Sequence, residues 1–401
     1  MQEIFGVMRT PHSILFGVGQ RHVIGEVVGA VGRRALVCTD QRFAASREMN
    51  EIMASLRQRG VDTQVFDGTQ AELPVQGVYD CVDQFRAFAP QVIIGLGGGS
   101  CMDLAKLVSL ALSHGTPLDQ YYGEFKVPGP ILPVIAVATT AGTGSEVTPV
   151  AVLADQARDL KVGISSPYLI PHTAICDPEL TVTCPPGLTA LSGADALTHA
   201  IEAYTAIRHP FEPELALKRV FVGKNHFSDH HALSAIQAIA GHLRKAVDNG
   251  TDMHARAMLM AGAVSAGLAF GVAGTAAAHA IQYPVGALTH TAHGLGVAAL
   301  LPYVMAYNAP VCQQELADIA VAMGAERGGT DVAARAVSMT RDLCASVGIP
   351  HTLADLGLAE DRLGWVAEQS MLSARLINNN PRPLQVDDVR EIVDCAFYGR
   401  A

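Results

Sequence analysis

From Ala257 to Gln314 the chain runs 58 residues without an Asp, Glu, Lys or Arg, and three histidines, His279, His290 and His293, lie inside that run. So long an uncharged stretch has to leave water. It enters either a bilayer, where about 18 apolar residues suffice for a helical span, or a helical protein core. The run is rich in Ala and Gly and is broken by Pro284, Pro302 and Pro310. It lacks the aromatic belts and flanking Lys/Arg cluster that fix a span in a bilayer. A buried helical core is therefore expected. There each histidine needs a hydrogen-bond partner or a metal ion, because an unsatisfied buried polar group costs roughly 1–3 kcal/mol.

A chain of 401 residues exceeds the roughly 250–300 at which a single core stops growing, so two domains are expected. It is 49% hydrophobic and 16% charged, below the usual quarter charged, which implies much internal surface and a homo-oligomer, expected to be a dimer. The net charge of −10 and the lack of a long basic run give no electrostatic footprint for nucleic acid or an anionic membrane, and neither is expected as a partner. Eight scattered cysteines without a CxxC pair indicate neither a disulfide framework nor a zinc knuckle. The start, MQEIFGVMRT, has no signal-peptide pattern. A cytoplasmic location follows from both.

The first half alternates strands and helices. RRALVCTD (33–40), DTQVFDG (62–68), PQVIIGLGGGS (90–100) and LPVIAVATTAGTGSE (132–146) read as strands, with an amphipathic helix before Gly60 and another from Met102 to about Ser113. That alternation implies a doubly wound, Rossmann-like parallel sheet. After residue 186 only helical patterns remain, at 188–207, 232–248, 252–281, 293–307, 312–325, 331–347 and 386–398. The boundary is set at Cys184, Pro185 and Pro186, where paired prolines exclude helix continuation. This gives a dinucleotide-binding α/β domain over 1–185 and an all-helical metal-binding domain over 186–401. Residues 209–231, locally basic through Lys218, Arg219 and Lys224, read as an exposed insertion.

Two small-residue turns carry the cofactor argument. GLGGGS (95–100) sits where a strand meets a helix, where glycines let the backbone approach a phosphate and free helix N–H groups meet the anion. TTAGTGSE (139–146) is a second such turn, dense in hydroxyls. Asp40, at the end of the first of these strands, can accept bonds from an adenosine ribose and would repel a 2'-phosphate, which favours NAD over NADP. Either turn alone is also what a tight loop without a ligand looks like.

GADALTHAIEAY (193–204) places Asp195 and His199 four apart, on one helix face. Pro284 and Gly286 are expected to end the helix carrying His279, and His293 to begin the next, so that a turn brings the imidazoles together. One carboxylate and three imidazoles suit Fe(II) or Zn(II), and spacing does not choose between them. A single histidine in such a core is more often a satisfied core residue than a ligand. The four together, beside a dinucleotide domain, favour a metal site.

Nearly the whole chain also resembles the iron-containing (group III) alcohol dehydrogenases, with their dehydroquinate synthase-like architecture. The resemblance is carried by GGGSCMDLAK (97–106), ATTAGTGSEVT (138–148), DLKVGISSPYLIP (159–171), AICDPELT (174–181), GADALTHAIEAY and HAIQYPVGALTHTAHG (279–294). It implies metal ligands at Asp195, His199, His279 and His293 and a pyrophosphate site at Gly97, Gly98, Gly99 and Ser100. It further implies a cofactor cleft lined by Thr139, Thr140, Thr143 and Lys161, with Asp40 facing the ribose. Two departures stand out. The family's second histidine, four residues after the third ligand and linked to proton exit, is replaced by Tyr283, with His290 either a substitute relay or a supporting or surface histidine; and AELP (71–74) replaces a cofactor-contacting motif.

The expected reaction is hydride transfer between NAD(H) and a primary alcohol/aldehyde pair, with a divalent metal, Fe(II) ahead of Zn(II), polarising the oxygen in the cleft between the domains. Phe270 and Tyr283 are the nearest candidates for pocket walls. A sharper expectation is that Arg219 or Lys224 of the insertion reaches the mouth of the site and favours an anionic substrate. Two rivals share the architecture: a hydroxyacid-oxoacid transhydrogenase that retains its nicotinamide, and a metal- and NAD-dependent carbon-oxygen lyase.

Overall fold

The computed structural model of the chain describes residues 4–157, 160–210, 212–328 and 331–400. Phe211 of the expected insertion and Asp159 of the DLKVGISSPYLIP motif lie outside the described residues. The chain divides into two compact units. The α/β unit holds Arg9–Thr183 together with Leu217–Val220, and the helical unit holds Cys184–Ala216, the chain from Phe221 onward and the segment ending at Met8. Local bonds explain the exchanged pieces. Arg9 Nη1 donates to the Val220 carbonyl (2.6 Å) and the Val220 N–H to Glu124 Oε2 (2.8 Å), while the Val7 N–H donates to Asn225 Oδ1 (3.2 Å).

The α/β unit is built on a six-stranded parallel sheet ordered β1-β9-β6-β4-β2-β3. Its strands are β1 Ser13–Phe16, β2 Arg34–Cys38, β3 Asp62–Phe66, β4 Val92–Gly97, β6 Val134–Ala138 and β9 Thr173–Cys176. A second sheet orders β5 Gly123–Glu124, β8 Leu160–Ser165 and β7 Val150–Asp155. β4, β6 and β9 are buried at every position, as continuous apolar runs are when both faces of a parallel sheet are covered. Covering helices include α1 Ile24–Val31, α2 Arg47–Gln58, α3 Val75–Phe85 and α4 Gly99–His114. In α2, Ser46 caps the first turn by accepting from the Met49 N–H (3.0 Å), and Met49, Ile52 and Leu56 face inward at helical spacing. The strand order reverses between β2 and β4, because the chain steps outward from β2 to β3 and then returns to β2's other side. Such a reversal opens a ligand crevice outside the carboxyl ends of those two strands.

The helical unit contains α5 Pro186–Thr205, α6 His226–Asp248, α7 Met253–Ala273, α8 Ala277–Thr289, α9 His293–Asn308, α10 Gln313–Ala322, α11 Val332–Ser346, α12 Leu363–Ser370 and α13 Val386–Tyr398. α5, α6 and α7 pack on one another. Among the described residues, two stretches are long and apolar enough to cross a membrane by length and composition, Met253–Ala273 and His293–Val311, and 72% and 67% of their apolar windows are buried inside the protein.

Four expectations are corrected. The run 252–281 is two helices, because Gly274 (φ 82) caps α7 in a conformation that breaks the helix before α8 starts at Ala277. Pro284 lies inside α8, which continues to Thr289 and ends at His290 in the left-handed region (φ 53). The segment 209–231 is not exposed throughout: Val220 to Asn225 are buried, and α6 starts at His226 behind a capping box of Asn225 and Ser228. Its buried lysine, Lys224, donates to Asp229 Oδ1 and to the Tyr204 carbonyl (2.8 Å each) and lies 3.6 Å from the Tyr204 ring centroid. It is held inside the helical unit, so the expectation that Lys224 meets a substrate does not stand. The short strands β1 and β9, SILF and TAIC, escaped notice because four residues carry too little periodicity to read.

Candidate active site

Asp195 and His199 lie on one face of α5, His279 in the first turn of α8 and His293 at the first residue of α9. Their Nε2 atoms surround one carboxylate oxygen. From Asp195 Oδ1 the distances are 3.8 Å to His199, 3.8 Å to His279 and 3.9 Å to His293. These separations are too long for hydrogen bonds. Donors about 2.0–2.2 Å from a shared tetrahedral ion stand roughly 3.3–3.6 Å apart; each imidazole lies slightly beyond that distance from the carboxylate oxygen, the donor atoms of Asp195, His199 and His279 all lie within 4.8 Å of one another, and His293 joins them through its approach to Asp195 Oδ1. Asp195, His199 and His279 are buried, and His279 Nε2 has no hydrogen-bond partner among the described residues. A buried nitrogen without a partner, aimed at a carboxylate and two further imidazoles, is accounted for by a metal.

The approach of α9 depends on the residue after the ligand. A Cβ added to Gly294 would fall 2.5 Å from the Leu191 carbonyl oxygen and 3.2 Å from Asp195 Cβ, so only glycine lets the first turn of α9 lie on α5. Behind His279 stands Glu202, buried on α5. His279 Nδ1 donates to Glu202 Oε2 at 2.6 Å, and the same carboxylate accepts from the N–H groups of Ala276 (2.9 Å) and Ala278 (2.7 Å). This fixes the imidazole tautomer and leaves Nε2 as the lone-pair donor. Burial pulls His279 down to about 3, helped by the neighbouring His199. It is thus neutral, the ligating form, across the range where proteins work. Burial pushes Glu202 up to about 7 against those backbone donors. Phe270 of α7 stacks on His199 at 4.2 Å between ring centroids, and Tyr283 lies beside His293 at 6.1 Å. His290 is exposed at the C-cap of α8.

In the α/β unit, Gly97 closes β4, Gly98 is the N-cap of α4, and Gly99 and Ser100 open it. Gly97 has φ +151, and a Cβ there would stand 2.5 Å from Cys101 Sγ and 3.9 Å from Asp40 Oδ2. The carboxylate at the end of β2 therefore borders the glycine turn across the reversal point. Asp40 Oδ1 caps the short helix Gln41–Ala44 by accepting from the Phe43 N–H (2.8 Å). The turn after β6 covers the same glycines. The Thr139 N–H donates to the Gly97 carbonyl (3.0 Å), the Thr140 side chain lies 3.5 Å from the Cβ position of Gly98, and Thr143 lies 2.8 Å from that of Gly99. Lys161, on β8, is ion-paired with Glu72, the acidic residue of AELP.

Three polar residues went unassigned in the sequence. Asp103 accepts from Ser145 Oγ (2.6 Å) and the Val152 N–H (2.9 Å), and Lys106, fully buried, donates to the carbonyls of Thr148 (3.0 Å) and Val150 (2.8 Å). Together they tie α4 to the loop that covers its N-terminus. Burial pulls Lys106 down to about 8 and pushes the nearby Glu146 up to about 7. Glu202 is the third. Its signal was its spacing, three residues beyond His199 and seven beyond Asp195, which puts all three on one helix face.

Comparison with known proteins bears on both halves. Residues 11–178 match the family described as iron-containing alcohol dehydrogenase, and residues 189–397 match the C-terminal part of the Fe-containing alcohol dehydrogenase family. The chain is 36% identical over 384 residues to long-chain-alcohol dehydrogenase 1 of Geobacillus thermodenitrificans, covering 94% of this chain and 93% of that one. The crystal structure of a 1,3-propanediol oxidoreductase superposes with a TM-score of 0.91 at 33% identity over 98% of this chain and 100% of its own. A sulfoacetaldehyde reductase from Bifidobacterium kashiwanohense, solved in complex with NAD+, is similar at a TM-score of 0.84 and 26% identity, over 98% and 99% of the two chains.

Proposed function

The chain belongs to the iron-containing alcohol dehydrogenase family and is a metal-dependent oxidoreductase of alcohols and aldehydes, and on that premise we propose that it acts on primary alcohols, uses NAD(H) and is loaded in the cell with Fe(II), with Zn(II) as the alternative. The convergence of three imidazole nitrogens on Asp195 Oδ1 carries this reading. When bound, the metal acts as a Lewis acid that lowers the pKa of an alcohol hydroxyl, and the nicotinamide supplies the hydride acceptor.

The chain's own residues do the rest. Asp195, His199, His279 and His293 hold the ion. Glu202 keeps His279 in the ligating tautomer. Phe270, stacked on His199, walls the site against water. Tyr283 orients the hydroxyl from beside His293, and His290, at the surface end of α8, takes up the proton that leaves it. Gly97, Gly98, Gly99 and Ser100 receive the pyrophosphate at the N-terminus of α4, under Thr139, Thr140 and Thr143. Asp40 accepts from the ribose and disfavours NADP. Lys161, held by Glu72, is assigned to the rim of the same cleft.

The eight free cysteines fit a reducing compartment, and we place the protein in the cytoplasm as a homodimer, to be checked by light scattering. The test of function uses metal-stripped protein reconstituted anaerobically with Fe(II) or Zn(II), then mixed with NAD or NADP and a panel of primary alcohols and diols. Metal-dependent NADH formation with NAD preferred is the expected result. Bound metal and bound NAD with no net NADH from any alcohol would discard this reading in favour of transhydrogenation.

A further inference from the structure

Helix α4 buries mostly apolar residues, yet its second turn carries a charged pair, Asp103 and Lys106, whose side chains are 15% and 0% exposed. Replacing a buried pair by apolar residues is often neutral or stabilising. Its bonds, rather than its charge alone, are what distinguish it here. Both oxygens of Asp103 are committed to the segment that follows β6. Oδ1 accepts from Ser145 Oγ (2.6 Å) and Oδ2 from the Val152 N–H (2.9 Å). Lys106 Nζ, 3.9 Å from Oδ1, donates to the carbonyls of Thr148 (3.0 Å) and Val150 (2.8 Å). One further bond carries this placement to the glycines. The Ser145 N–H donates to Thr143 Oγ1 (3.3 Å), and that oxygen stands 3.1 Å from the point where Gly99 would carry a Cβ. Because Thr143 Oγ1 accepts there, its own hydrogen is left to donate to another group. Gly99 opens α4, where helix N–H groups without intrahelical partners meet an anion. In the same turn Thr139 is 2% exposed, and its Oγ1 has no hydrogen-bond partner among the described residues. A buried hydroxyl in that state points to a ligand.

We propose that Asp103 is a positioning residue for the cofactor: acting through Ser145, it holds the Thr143 hydroxyl as a hydrogen-bond donor to a pyrophosphate oxygen, while Lys106 fixes the far side of the same turn. The inference rests on the reading of the glycine turn as the pyrophosphate site. It adds two residues that touch no ligand themselves. A donor oriented before the ligand arrives loses little freedom on binding, so its arrangement is felt as affinity. The bland alternative is that the pair only closes the loop. In that case removing Asp103 would lower stability, and its effect on the ligand would not depend on the Thr143 hydroxyl.

The experiment titrates wild type, Asp103→Asn, Thr143→Val and the double variant with NADH by fluorescence and with ADP by calorimetry, and records Tm for each. An amide offers one acceptor oxygen where the carboxylate offers two, so Asp103→Asn loses either Ser145 or Val152 as a donor. Each single variant is expected to bind NADH and ADP about tenfold more weakly, the scale of one hydrogen bond to a charged group. In turnover the loss should fall on the KM for NAD rather than on kcat. Coupling is the signature: the double variant should bind no more weakly than the weaker of the two single variants. Additive losses overturn the proposal, and so does unchanged affinity in Asp103→Asn. Should Asp103→Asn lower Tm markedly, Ser145→Ala, which removes only the hydroxyl, takes its place in the cycle. If wild type binds ADP but not NADH, and the cycle holds with ADP, the nicotinamide reading fails and the positioning role stands. Wild type that binds neither removes both.

Discussion

The two proposed ligand sites are made of different material. In the α/β unit the receiving surface is backbone: three successive glycines and a serine at the start of α4, roofed by threonines, all from two short turns. In the helical unit it is four side chains from α5, α8 and α9, separated by up to 98 positions between Asp195 and His293 (293 − 195). A backbone site is intolerant of added atoms. A side-chain site is intolerant of lost ones. The helical site also needs Glu202 to fix a tautomer, whereas a helix N-terminus comes already oriented by its own hydrogen bonding.

The largest expected effect tests the side-chain site. His279→Ala should abolish tight metal binding and lower turnover by about a thousandfold or more, given the several kcal/mol that a Lewis acid contributes. Metal content by mass spectrometry and NADH formation should fall together, and full activity without metal would remove these four residues from the reaction. Next comes Glu202→Gln. An amide cannot accept from all three of Ala276, Ala278 and His279 as the carboxylate does. Metal affinity should drop about 10–100-fold, measured by competition with a chelator. An unaltered affinity would mean that the tautomer is set elsewhere.

Gly97→Ala breaks the other side of the comparison. It places a Cβ against Cys101 Sγ at a φ that L residues rarely adopt, a strain of about 1–3 kcal/mol. NADH affinity by fluorescence titration should weaken roughly tenfold, while metal content holds. Loss of both together would contradict the separation of the two sites. The smallest effect is in pH dependence, and its sign differs between the units. In metal-stripped protein His279 has its pKa depressed to about 3, so its contribution to stability is present above its unfolded value near 6.5 and is lost as pH falls toward about 3. Glu146 is raised to about 7, so its contribution is present below about 4.5 and is lost as pH rises through 7. Thermal melts of His279→Gln and Glu146→Gln should each flatten one flank of the stability profile by a few degrees. If both variants flatten the same flank, one of these assignments is wrong.

How much could be read in advance follows the same division. Both turns were legible, because GLGGGS and TTAGTGSE are contiguous and a glycine's backbone freedom is a property of the residue itself. The long apolar strands β2, β4 and β6 were legible for a similar reason. The split between α7 and α8 was not, since the pattern 252–281 keeps its apolar composition through Gly274 and only the cap geometry shows the break. Lys224 was read as a surface cation because lysine is usually one. Its burial against Asp229 and Tyr204 arises from neighbours that no local pattern predicts.

By itself the sequence determined which chemistry was on offer: one carboxylate and three imidazoles in uncharged surroundings, and two glycine-bearing turns after buried strands. Residue type and local spacing are enough for that. Only the tertiary structure decided that the three Nε2 atoms converge on Asp195 Oδ1, that Glu202 selects the tautomer of His279, that Thr143 roofs Gly99, and that Lys224 is enclosed by Asp229 and Tyr204. The reason is physical. These relations hold between residues tens to hundreds of positions apart, and they are set by how closely helices and turns can pack, which no local window of sequence contains.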